Sequence, residues 1–233
     1  MKPLLDNQFQ IKIVVFDFDG TLVNSNTIKQ ETYYTVANLL GEVTKAVDFV
    51  LRSRIVGDRF SIFKKIVTQV ADAGQLPESH SIDDWVSLLV AEYTELCEQK
   101  IATCPEIPGA AVALSQLKTM GYLLFVSSAT PLEPLKRLLS LRKLDTYFAG
   151  IYGRPATKVE SLQDIMNTYR LSSEELVVVG DGEDDRESAL VTGCSFIRVD
   201  PSFSPENIRG GYVISDLSML VTTLERLKFN IYD

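Results

Sequence analysis

Asp17 and Asp19 stand two residues apart directly after the apolar run IKIVVF, and a second acidic group, Gly180-Asp181-Gly182-Glu183-Asp184-Asp185, follows ELVVV. In extended backbone, residues i and i+2 project to the same side, so the first pair is delivered together. Carboxylates crowded into a low-dielectric cleft repel one another, and at neutral pH a hard divalent cation is the natural way to hold them together. Oxygen ligands without histidine or cysteine favour Mg2+. Two more polar groups follow apolar runs or open helices: Ser127-Ser128-Ala129-Thr130 at the end of YLLFVS, and Lys158 at the start of a helical pattern. The cation and Lys158 would invert the local sign, which lets a phosphate enter an acidic pocket.

These groups need elements to position them. IKIVVF, YLLFVS (122–127), a short segment near Gly150–Tyr152, ELVVVGD (175–181), SFIRV (195–199) and YVIS (212–215) read as strands. Helical patterns separate them: 109–120, 131–141, a helix opening near Lys158, 184–192 and 217–227. Strands alternating with helices of this length predict an α/β fold with a doubly wound, parallel, Rossmann-like sheet. Ligands of such sheets bind at the carboxyl ends of the strands, where the polar groups fall. Each group alone has a plainer reading: a turn for the first acids, a helix N-terminus for the second, a surface lysine for Lys158. Their succession at one strand end after another is what those readings leave unexplained.

Residues 23–103 have a different texture. Helical spacing dominates, β-branched runs bounded by turns are absent, and Gly41, Gly57 and PESHS divide the stretch into about four helices. It is too long for one crossover and predicts an inserted α-helical cap domain. The α/β core is then discontinuous, residues 1–22 and 104–233.

The chain has 233 residues and a net charge of −8, which disfavours nucleic acid as a partner. No apolar run approaches the roughly 20 residues of a membrane-spanning helix. The opening MKPLLDNQFQ lacks the features of a secretory signal, so a soluble, cytoplasmic protein with no membrane partner is expected. Cys97, Cys104 and Cys194 are far apart and form no CxxC, and they read as reduced, mostly buried thiols. With His80 as the single histidine, in a polar stretch, mechanisms built on histidine are disfavoured and carboxylates and lysine remain.

FDFDGTLVNS, FVSSAT, Lys158 and VVVGDGEDD together resemble the four-part signature of the haloacid-dehalogenase-like phosphohydrolases. The likeness spans residues 13–185, and the insertion is similar to the C1-type cap of phosphoglycolate-phosphatase-like and β-phosphoglucomutase-like members. The resemblance implies Asp17 as a nucleophile that becomes an aspartyl-phosphate, and Asp19 as the acid for the leaving oxygen and then the base for water. It implies Ser127 and Lys158 on the phosphoryl oxygens, with Ser128 also at the substrate. It implies Mg2+ held by Asp17, the Asp19 backbone carbonyl and Asp181, with Asp185 binding directly or through water; spacing favours Asp185 over Asp184 for that last place. An acid at position 19 implies an oxygen leaving group.

By the same resemblance the cap closes over the site and its loop Arg52–Phe60 faces the substrate. Arg59 is then a candidate contact to the substrate's non-transferring end, or else a solvated arginine at a helix start. Tyr33, Tyr34, Phe60 and Phe63 read as cap core. Hinges are expected near Leu22–Ser25 and Thr103–Pro108. The implied activity is a Mg2+-dependent phosphatase acting on a small phosphorylated metabolite, as a monomer or homodimer. The alternative is a β-phosphoglucomutase-like sugar phosphomutase. A phospho-receiver module shares the acids, hydroxyl and lysine, but is shorter and has no inserted cap.

Overall fold

The computed structural model describes residues 11–53, 58–203 and 212–228. Two compact units divide the chain: one runs to Asn24 and resumes at Cys104, and the other is Ser25–Thr103. Val23 and Asn24, expected in the insert, belong with the core instead. Val23 bridges Glu106, the Asn24 N–H donates to the Pro105 carbonyl at 2.9 Å, and the Ile107 N–H donates to the Leu22 carbonyl at 3.0 Å. The two connectors expected as hinges thus pair with each other inside the core unit.

The core is one parallel sheet. Its strands are β1 (Ile13–Phe16), β2 (Leu123–Pro131), β3 (Gly150–Arg154), β4 (Leu176–Gly180), β5 (Ser195–Val199) and β6 (Tyr212–Ile214), in the order β3-β2-β1-β4-β5-β6. β1 is central and every residue of IVVF is buried, as a strand covered on both faces requires. Ile13, Val15, Phe125, Leu176 and Val178 point to one face and join Leu162 and Ile165 of α7 (Lys158–Tyr169) and Ala189 of α8 (Glu183–Thr192). Val14, Phe16, Leu124, Val126, Val177 and Val179 alternate to the other face. There α5 (Ala110–Thr119) packs on β2 and against α9 (Leu220–Lys228). α6 (Leu132–Leu141) connects β2 to β3.

β2 differs from expectation. The strand does not stop at Ser127 but continues through Ser128-Ala129-Thr130 to Pro131, with a register shift against β3 between Ser127 and Pro131. β1 ends at Phe16, opposite Val126, so β2 extends beyond its neighbour at the carboxyl edge of the sheet.

The described residues of the second unit form four α-helices, α1 (Asn26–Ala37), α2 (Thr44–Arg52), α3 (Arg59–Asp72) and α4 (Ile82–Ile101), with a short 3-10 turn at Asn38–Leu40. Asp58 caps α3 by accepting the Ser61 N–H at 2.9 Å, and Ser81 caps α4 by accepting the Asp84 N–H at 3.2 Å. Tyr33, Phe63 and Tyr93 pack at its centre with ring centroids 4.4–5.6 Å apart. Of the aromatics expected in this core, Tyr33 and Phe63 are buried; Phe60 is exposed, and Tyr34 donates its hydroxyl to Asp48 at 2.7 Å. In the loop expected to face the substrate, residues 54–57, Gly57 included, lie outside the described residues.

Candidate active site

The end of β1 turns sharply. The Asp17 N–H still donates to the Val179 carbonyl of β4 at 2.9 Å, after which the Leu22 and Val23 N–H groups both return to the Phe18 carbonyl. Gly20 takes φ +80°, a conformation that side chains disfavour, and its N–H donates to the Val23 carbonyl at 2.8 Å. This turn leaves Asp17 and Asp19 buried at the sheet edge.

Lys158 reaches the same place from the first position of α7. A capping box fixes that start: Thr157 Oγ1 accepts the Glu160 N–H at 3.2 Å, and Glu160 accepts the Thr157 N–H at 2.8 Å. The lysine Nζ lies 2.6 Å from Asp185 Oδ1, 2.9 Å from Asp184 Oδ2 and 3.3 Å from Asp17 Oδ1. Asp185 sits in the first turn of α8 and folds back over the end of β4, where its Oδ2 accepts the Gly182 N–H at 3.1 Å. A Cβ at position 180 would lie 2.2 Å from the Asp185 Cγ, so glycine there is what makes room for the carboxylate. Thr21 donates to Asp181 Oδ1 at 3.2 Å.

Asp17, Asp181 and Asp185 each offer a carboxylate oxygen within 4.8 Å of the others. Burial raises the Asp17 carboxyl well above the usual aspartate value; Lys158 pulls it down, while Asp185, Asp19 and Asp181 push it further up. Burial likewise carries Asp185 up to about 6 against the pull of Lys158, with Asp184 and Asp181 adding to the rise. For Lys158, burial works against the ammonium, but Asp17, Asp185 and Asp184 outweigh it and hold its pKa above the usual lysine value. One ammonium therefore does not neutralise the cluster. An all-oxygen donor set with excess negative charge is the chemistry that a hard divalent cation fits.

The expected residues do not all fall in one place. Asp17, Asp181, Asp185 and Lys158 converge, and Asp185 rather than Asp184 joins the carboxylate cluster: it is buried, whereas the Asp184 side chain is 58% exposed. Ser127 lines a tight crevice with Asp17 and Lys158 but also with the apolar Leu162 and Val178 beneath them. Ser128 lines the neighbouring cleft beside Lys158, and its hydroxyl stands 3.5 Å from Asp19 Oδ2. Arg59 belongs to the helical unit, where its Nη1 donates to Thr94 Oγ1 at 2.7 Å and its guanidinium lies 5.4 Å from the Tyr93 ring centre. Thr130 closes the polar group Ser127-Ser128-Ala129-Thr130, in which the sequence assigns it no role of its own, yet its hydroxyl donates to Asp19 Oδ2 at 2.8 Å. The strand that carries it runs past its predicted end, so no local pattern could have placed it.

The family model for haloacid dehalogenase-like hydrolases matches residues 14–199. A phosphoglycolate phosphatase of Cereibacter sphaeroides is 27% identical over 198 residues, covering 78% of this chain and 82% of that protein. A phosphoserine phosphatase of Methanocaldococcus jannaschii is 27% identical over 189 residues, covering 75% and 79%. In fold, a crystal structure described as a predicted phosphoglycolate phosphatase from Haemophilus somnus superposes with a TM-score of 0.74 at 18% identity, covering 92% of this chain and 98% of that one. The chain belongs to the haloacid dehalogenase-like hydrolases. It is an enzyme of that family's phosphoric monoester hydrolase type. No helix among the described residues is long and apolar enough to cross a membrane.

Proposed function

We propose that the protein is a Mg2+-dependent phosphatase that hydrolyses a small phosphorylated metabolite through an aspartyl-phosphate on Asp17. The observation that carries this reading is the meeting of Asp17, Asp181 and Asp185 within 4.8 Å beside Lys158, with Asp19 two residues from the nucleophile. Asp17, Asp181 and Asp185, with the Asp19 backbone carbonyl, would hold Mg2+, which supplies positive charge against the transferring phosphoryl group. A carboxylate whose pKa burial has raised becomes a competent nucleophile once cations face it.

In the first half-reaction an Asp17 oxygen bonds to phosphorus while the ester P–O bond breaks, and Asp19 gives its proton to the departing oxygen. In the second, water attacks phosphorus, its proton passes to Asp19, and the bond to Asp17 breaks to release phosphate. Lys158 holds phosphoryl oxygens throughout. We assign the accompanying hydroxyl to Ser128 in place of Ser127, because Ser127 shares its crevice with Leu162 and Val178 whereas Ser128 stands near Asp19. The names of the relatives support a small phosphate ester as substrate: phosphoglycolate and phosphoserine are both compact anions.

The test is phosphate release from 4-nitrophenyl phosphate. Activity should require added Mg2+, vanish with chelator, and fall by at least ~10³-fold in Asp17→Asn, where the nucleophile itself is lost. Wild-type protein quenched in acid during turnover should carry one phosphoryl group on the peptide containing Asp17. Undiminished turnover by Asp17→Asn would overturn the mechanism.

A further inference from the structure

We propose that Thr130 is the positioning residue for the acid–base carboxylate Asp19, a role that rests on the phosphatase reading above. Both side chains are buried, and the Thr130 hydroxyl donates to Asp19 Oδ2 at 2.8 Å. Thr130 is itself held in place: its backbone N–H donates to Ser128 Oγ at 3.1 Å, and the shift in register between β2 and β3 falls at this segment. A buried carboxyl with one oxygen engaged by a fixed hydroxyl cannot rotate at will. An Oδ2 that accepts the threonine proton is also the poorer place for the acid's own proton. The Thr130 hydroxyl thus fixes the orientation in which Asp19 presents its carboxyl to the leaving group.

The step at stake is proton transfer alone. As Asp17 bonds to phosphorus and the ester bond breaks, the Asp19 proton passes to the departing oxygen, and the threonine keeps its own. Misplacing the acid penalises substrates in proportion to how much their leaving oxygen needs a proton. An activated phenolate leaves without one; an unactivated phenolate or alkoxide does not. Thr130 thus acts on the dependence of rate on leaving group, a property that general loosening of the fold leaves unchanged.

The experiment compares kcat/KM for phenyl phosphate and 4-nitrophenyl phosphate in wild type, Thr130→Val, Thr130→Ser and Asp19→Asn. The ratio of the two substrates, measured on one preparation, is independent of the fraction of folded enzyme. Thr130→Val, which keeps the shape and removes the donor, should lose ~10-fold or more on phenyl phosphate and under ~3-fold on 4-nitrophenyl phosphate, a part of the ~10²–10⁴-fold that a general acid contributes. Thr130→Ser should restore the wild-type ratio. Should Thr130→Val yield no folded protein, Thr130→Ala supplies the same ratio. A Thr130→Val ratio equal to that of wild type overturns the proposal while Asp19→Asn still shows the selective loss. An unchanged ratio in Asp19→Asn as well overturns the acid–base reading on which it rests.

Discussion

The two units of this chain treat buried polar groups in opposite ways. In the helical unit, Arg59 is clasped by Thr94 and the Tyr93 ring, and the aromatic centre is neutral, with burial pushing the Tyr33 hydroxyl up to about 12. In the α/β unit, Asp17, Asp19 and Asp185 are buried together, and Lys158 faces Asp17, Asp184 and Asp185 at once. The first arrangement is satisfied by its own contacts. The second carries raised carboxyl pKa values, first because the carboxyls are buried and then because neighbouring aspartates crowd them, and Lys158 offsets this only in part. An electrostatic deficit kept inside a well-packed sheet edge marks the part of the molecule arranged for a ligand.

That contrast can be broken at either end. The largest stability effect should come from Phe63→Ala, which empties the aromatic centre of the helical unit and should cost about 3–5 kcal/mol. Trp85 is the single tryptophan and lies buried in α4, so its fluorescence during urea unfolding reads this loss directly. An unaltered midpoint would mean that the aromatic cluster is not the centre of that unit.

The next effect concerns the α/β unit and has a definite sign with pH. Carboxyls whose folded pKa is raised favour the metal-free fold at low pH, and that contribution is lost as pH rises through the folded value, about 6 for Asp185. A divalent cation needs the ionised forms, so its benefit runs the other way. At pH 7.5, Mg2+ at a hundredfold excess over its Kd should stabilise the protein by about 2.7 kcal/mol. At the same concentration near pH 5 most of that gain should disappear, and thermal melts with and without Mg2+ at the two pH values measure the difference. Equal stabilisation at both would contradict ligation by Asp17 and Asp185.

Arg59→Ala should have the smallest effect. The clasp on Thr94 and Tyr93 is half-buried and should be worth about 1 kcal/mol, read again through Trp85. A rise in KM for 4-nitrophenyl phosphate out of proportion to that loss would instead give Arg59 a part in substrate binding.

Much of the core was legible because its signals are local. Apolar runs that stop at a polar residue mark strand ends, and the helical spacing of residues 23–103 separates them from the alternating remainder. The continuation of β2 to Pro131 was not legible, since Ser128-Ala129-Thr130 has no apolar character to announce a strand. Nor were the places of Val23 and Asn24, which follow from pairing with Glu106 and Pro105, some eighty residues away in sequence. Tyr34 and Phe60 share their chemistry with Tyr33 and Phe63; Tyr34 is turned off the buried face by its place in the helical turn, and Phe60 is exposed at the start of its helix.

The amino-acid order alone determined that two acidic groups, a hydroxyl segment and a lysine end up along one sheet edge, because strand and helix periodicities are written residue by residue. Only the tertiary structure decided where each side chain of those groups stands. It turned Asp185 rather than Asp184 into the carboxylate cluster, set Ser127 above Leu162 and Val178, and brought Thr130 to Asp19. Those choices depend on the phase of a helix and the register of a strand relative to partners distant in sequence, and neighbouring residues carry no record of either.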